Sequence, residues 1–130
     1  MADTNVLLSA IFFPASVPAK ALMHAARQHE LVLCDYIIAE VFDVVSRKRP
    51  DLLPDADVLL AELSYETVIA PRKPSKLIAD PKDAPILNSA ILENVDIIIS
   101  GDKHFLRLGI ERPKPMTPAQ FAELIERDGY

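Results

Sequence analysis

At 130 residues, half of them hydrophobic and a quarter charged, the chain has the size and balance of one soluble globular domain, predicted here to span 1–130. Its net charge of −5 excludes the broad basic surface on which non-specific nucleic-acid binders rely. The single cysteine, Cys34, excludes an intrachain disulfide, and the expected setting is a reducing, cytoplasmic one.

The apolar stretch 6–19 lacks a basic start, carries Asp3 ahead of it and is broken by Pro14 and Pro18, so it does not read as a signal peptide. It is also too short to span a bilayer, and no membrane association is expected. Within it, 6–8 reads as a buried strand. A helix follows over about 18–29, then a strand over 31–34 ending in Cys34, a small buried hydrophobe. Helices are predicted at 36–48 and 54–64, with Pro50 and Pro54 marking the joint between them. Residues 67–69 read as a strand. Pro71 and Pro74 then precede a helix over 83–94 that Asp83 opens and Pro85 supports. The isoleucine run 97–99 reads as a central strand buried on both faces. Thr117 and Pro118 start a last helix over 118–127. Alternating strands and helices predict an α/β sandwich around a mostly parallel sheet.

In open parallel sheets, ligands bind beyond the carboxyl ends of the strands. Asp102 stands there, after the isoleucine run and the turn-permitting Gly101. Asp3 stands beside the first apolar run. Asp83 is either a helix cap or a ligand at the start of a buried helical face, or both. Glu40 lies at the margin of the apolar arc formed by Ile37, Val41, Val44 and Val45, where its head either reaches water or meets a cation. Acids brought together repel, and they hold their charge only with a cation among them. Hard oxygen ligands select Mg²⁺ or Mn²⁺, which would activate a water and offset charge building on a scissile phosphate.

Five stretches carry a resemblance to a known family. They are Asp3-Thr4-Asn5-Val6-Leu7-Leu8-Ser9-Ala10; Ala39-Glu40-Val41; Asp80-Pro81-Lys82-Asp83-Ala84-Pro85-Ile86-Leu87; Ile98-Ile99-Ser100-Gly101-Asp102-Lys103-His104-Phe105-Leu106; and Met116-Thr117-Pro118-Ala119-Gln120-Phe121. In this order and spacing the chain resembles the PIN-domain family. The resemblance implies a three-layer α/β/α sandwich with a mostly parallel central sheet. It implies Mg²⁺- or Mn²⁺-dependent hydrolysis of single-stranded RNA, with Asp3, Glu40, Asp83 and Asp102 as the acidic, metal-holding site. Asn5 and Ser100 would support it by orienting the acids or the waters of the metal; a plain turn hydroxyl is the other reading of Ser100. Many bacterial members are toxins of toxin–antitoxin pairs, which makes an antitoxin protein the expected partner.

The family usually has an apolar strand before the first Asp. Here only Met1 and Ala2 precede Asp3, so that strand is expected to be shortened or built from later residues. Residues 112–115, rich in proline, predict a short or irregular edge strand. Leu22, Met23 and Leu60 are candidates for a homodimer interface, with core packing the alternative. Two other functions compete. A catalytically weak binding module would keep the fold without the chemistry. An Asp-dependent phosphatase or phosphotransferase would use Asp3 as nucleophile, but it needs a second acid where Asn5 stands.

Overall fold

The computed structural model describes residues 1–129; Tyr130, the last residue of the expected domain, lies outside them. The helices are α1 (Thr4–Phe12), α2 (Val17–Gln28), α3 (Asp35–Lys48), α4 (Leu53–Glu62), α5 (Ala84–Leu92), α6 (Lys103–Leu106) and α7 (Pro118–Asp128). The strands are β1 (Val32–Cys34), β2 (Glu66–Val68), β3 (Ile97–Ile99) and β4 (Lys114–Met116), and a 3₁₀ turn, Pro50–Leu52, precedes α4.

Every ladder is parallel, and the ladders are short. β1 pairs with β2 with Val32 opposite Glu66, and β3 pairs with β4 with Ile97 opposite Lys114. On its other side β3 takes up the first residues of the chain. Met1 N donates to Ile97 O at 2.8 Å, Ile99 N to Met1 O at 2.8 Å, and Asp3 N to Ile99 O at 3.0 Å. The result is a helix-rich mixed α/β fold in which the parallel sheet is present as short pieces.

The strand expected at 6–8 is instead part of α1. Val6, Leu7, Leu8, Ala10 and Ile11 are all buried, so this helix is enclosed nearly all round. A helix buried on every side shows an unbroken apolar run and no 3.6-residue period, and periodicity cannot tell it from a buried strand. Asp3 fixes the outcome: its carboxylate accepts from Val6 N at 3.1 Å and caps the helix. Ahead of Asp3, Ala2 makes an isolated parallel bridge to Ile99.

Elsewhere the local rules hold. Ser16 caps α2 through Ala19 N at 3.3 Å, with Pro18 in the first turn. α7 opens with a capping box, Thr117 Oγ1 accepting from Gln120 N at 3.0 Å and Gln120 Oε1 accepting from Thr117 N at 2.9 Å, and it ends at Gly129 with φ 66°. Thr117→Ala should therefore lower stability by about 1 kcal/mol, read as a fall in the thermal midpoint. The edge strand expected at 112–115 is β4, of three residues, shifted toward Met116. Leu22 and Leu60 lie in the core and are not available for a dimer face; Met23 packs half-buried against it.

The core gathers Leu7 of α1, Leu22 of α2, Leu33 of β1, Ile37 and Val41 of α3, Leu87 of α5 and Ile98 of β3, all fully buried. Apolar area of this extent is the dominant stabilising term in a domain this size. It also sets the site: with Ala2 bridged to Ile99, the residues that follow each emerge side by side at the carboxyl edge.

Candidate active site

Asp3 and Ser100 meet at that edge, joined by a hydrogen bond in which the Ser100 hydroxyl donates to Asp3 Oδ2. Ser100 Oγ also accepts from Asp102 N at 2.9 Å. One buried hydroxyl thus ties the two strand-end acids together, which gives Ser100 more to do than shape a turn. Asp102 Oδ1 accepts from His104 N at 2.8 Å and starts the short α6.

The start of α5 brings in Asp83. Asp83 occupies the N-cap position, its carbonyl oxygen accepting from Leu87 N at 3.0 Å, but its carboxylate makes no cap hydrogen bond. The carboxylate faces His104 instead, with Nδ1 2.9 Å from Asp83 Oδ2. The same nitrogen lies 3.4 Å from Asp102 Oδ1 and 3.7 Å from Asp80 Oδ2. Asp80 is held in a turn: its Oδ1 accepts from Lys82 N at 2.9 Å, and its carbonyl oxygen accepts from Asp83 N and Ala84 N, both at 3.1 Å.

Glu40, half-buried on α3, makes no hydrogen bond to these groups among the described residues, and the structure does not bring it together with them as a ligand group. Tyr36 stands one turn earlier on α3. Burial raises its hydroxyl above the ordinary value, and the charges of Glu40, Asp80 and Asp83 add to the rise against the opposing pull of Arg72. Asn5 is exposed in the first turn of α1, and its side-chain amide is not hydrogen-bonded to the acids.

The electrostatics are those of a crowded, partly dry acid cluster. Asp3, 3% exposed, has its carboxyl pushed up to about 6, first by burial and then by the charges of Asp102 and Asp83, against the hydrogen bonds from Ser100 and Val6 N. Asp83 is raised by burial and by Asp102 and Asp80, with the bond from His104 opposing. The exposed His104 is raised in turn, by its bond to Asp83 and then by the charges of Asp102, Asp83 and Asp80.

A donor set of this kind suits a divalent cation. Ligand atoms from Asp80, Asp83 and His104 lie within 4.8 Å of one another, and carboxylate oxygens dominate the surroundings. Asp3 and Asp83 are raised first by burial and then by the neighbouring acids, and a bound cation would offset that repulsion. Sequence reasoning passes over Asp80 and His104 as cluster members. Their signal is the Asp80-to-Asp83 spacing of one tight turn and the position of His104 two residues after Asp102.

A family model for the PIN domain matches residues 1–104. The chain belongs to the PIN-domain family. Its fold is the PIN fold, and membership supports a nuclease-type function and the use of a divalent metal. A search among curated proteins finds no match.

Proposed function

We propose that this chain is a Mg²⁺- or Mn²⁺-dependent endoribonuclease that cleaves single-stranded RNA, and that it acts in the cytoplasm as the toxin of a toxin–antitoxin pair. The observation that carries the nuclease reading is the convergence of Asp3, Asp83 and Asp102, with Asp80 and His104, at the carboxyl edge of the parallel strands. Asp3, Asp83 and Asp102 are the residues that would hold the cation, with Asp80 and His104 at its margin; Glu40 on α3 is included on the family resemblance alone. A divalent cation there supplies the charge that offsets a scissile phosphate and acidifies the attacking water.

The side chains do the rest. Ser100 holds Asp3 and Asp102 in register, so their oxygens need not reorganise when substrate arrives. His104, 57% exposed at the rim and beside Asp83, can carry a proton away from the buried acids toward solvent or a leaving oxygen. The pairing with an antitoxin rests on the family resemblance, and a small reading frame next to the gene would bear on it.

Incubation of single-stranded RNA with the protein and Mn²⁺ tests the activity. Wild type should cut, and Asp102→Asn, which keeps the cap on His104 N but loses the charge, should cut at least about 100-fold more slowly. Cleavage that ignores the substitution would belong to a contaminant and would sink the proposal.

A further inference from the structure

We propose that the cavity beside Asp83 is a nucleobase pocket, which seats one unpaired base of the RNA next to the bond to be cut. This inference rests on the nuclease reading above and names how its substrate is held. The cavity has a volume of about 380 Å³ and is walled by Tyr36 on α3, by the segment carrying Arg72 and Lys73, and by Ala84 and Pro85 at the start of α5. Ala84 directly follows Asp83 in the chain, and the Tyr36 ring feels the charge of Asp83, which places the cavity next to that acid although Asp83 is not on its lining. Its volume falls within the roughly 300–1,000 Å³ of small-molecule sites.

The lining is mostly apolar, with one aromatic ring and two cations. That combination suits an unstacked base with its phosphate: the ring and apolar walls take the base, and the cations take the charge. The ring and the guanidinium are already placed. Arg72 Cζ lies 5.2 Å from the centre of the Tyr36 ring, and Arg72 Nη2 lies 3.3 Å from Asp35 Oδ2. Asp35 Oδ1 accepts from Ala70 N at 2.8 Å, and Asn88 Nδ2 donates to Lys73 O at 3.0 Å, so this wall is pinned to both α3 and α5.

Charge completes the case. A chain of net charge −5 with an acid cluster at its centre repels a phosphodiester backbone unless cations stand beside the cluster. Arg72 and Lys73 stand on one side. On the other, Lys103 and Arg107 line a second groove, and Ile78 and Ala79 wall both. A strand that passes from one groove to the other over Ile78 and Ala79 meets positive charge in both. The cavity at the opposite, amino ends of the strands carries Glu30, Glu93 and Asp96 on its lining and lacks this complementarity. A duplex keeps its bases stacked inside and has none to offer, so the pocket also selects single strands.

The test is anisotropy of a fluorescent single-stranded RNA bound to the full chain carrying Asp102→Asn, with and without Tyr36→Ala or Lys73→Glu. Each added substitution should weaken binding about tenfold, the scale of one lost base stack or phosphate contact. In the wild-type enzyme, an abasic site beside the cleaved bond should raise KM by a similar factor with kcat little changed. Among the described residues only the backbone carbonyl of Lys73 is hydrogen-bonded, so Lys73→Glu leaves the fold intact. Unchanged affinity in Lys73→Glu, together with indifference to the abasic site, overturns the pocket while leaving the nuclease reading standing. Base-dependent binding by a wild-type protein that never cuts RNA supports the pocket and overturns the nuclease reading.

Discussion

Above pH 6, metal-free protein carrying Asp3→Asn should melt higher than wild type, and it should gain nothing from added Mn²⁺. In the fold the Asp3 carboxyl is raised from 3.8 to about 6, chiefly because ionising it there strips water from a charge beside Asp102 and Asp83. A carboxyl raised in this way makes the folded protein the stronger proton binder between those two values. Its contribution is fully present below pH 3.8 and is lost as the pH climbs through 6. The loss amounts to about 3 kcal/mol, or roughly 10 °C in the melting midpoint of a domain this size. Asparagine carries no charge, so the variant escapes this loss, and its oxygen can still accept from Val6 N. The gap between the two proteins should open between pH 4 and 6 and then stay constant. Mn²⁺ should close it from the wild-type side, since a cation that binds only the folded state adds about 2.7 kcal/mol at a hundred times its dissociation constant. Scanning calorimetry of both proteins over pH, with and without Mn²⁺, gives all four curves. A variant that melts below wild type at pH 7.5 without metal would mean that the buried charge is not the burden described.

Asp83 should show a weaker form of the same effect. Its carboxylate makes no cap hydrogen bond, and burial raises its carboxyl with the bond from His104 opposing, so Asp83→Asn should raise the melting temperature of the metal-free protein at neutral pH, by less than Asp3→Asn does. Its carboxylate contacts His104 and feels Asp80 and Asp102, and the same substitution should weaken Mn²⁺ binding and RNA cleavage by at least about 100-fold. Calorimetric titration with Mn²⁺ and a cleavage time course check the two halves separately. A fall of several degrees in the melting point would show that helix α5 leans on this carboxylate after all. Asp3 and Asp83 thus share two costs of a metal-ready acid cluster, the burden on the empty protein weighing more on Asp3, where no histidine offsets it.

How much of this is legible in the sequence depends on whether the cause is local. The helices α2 and α7 are legible because caps, first-turn prolines and apolar stripes all sit within a few residues of each other, α5 through Pro85 and its apolar stripe, and α3 through its apolar stripe alone. The strand β3 is legible because three isoleucines in a row fit a strand buried on both faces. α1 is not, because enclosure on all sides erases the period that marks a helix. In the candidate site, Asp3, Asp83 and Asp102 stand out by their positions at element ends. That the Asp83 carboxylate makes no cap hydrogen bond, and that Ser100 bridges two acids, follow only from packing. Asp80 and His104 join the cluster through a turn and a short helix folded toward each other; spacing sets Asp80 beside Asp83 and His104 beside Asp102, but only the fold brings the two pairs together.

The stretch from Ala70 to Asp80 contains no helix or strand, and Asp35 and Asn88 hold its backbone at Ala70 and Lys73. Releasing those few anchors costs far less than unfolding the helices around it, so this stretch can swing outward while the rest of the molecule stays closed. Its amides should then trade hydrogen with solvent much sooner than those of α1. A guest lodged against it would work as a fastener, so that occupancy could be timed by how slowly those amides take up deuterium.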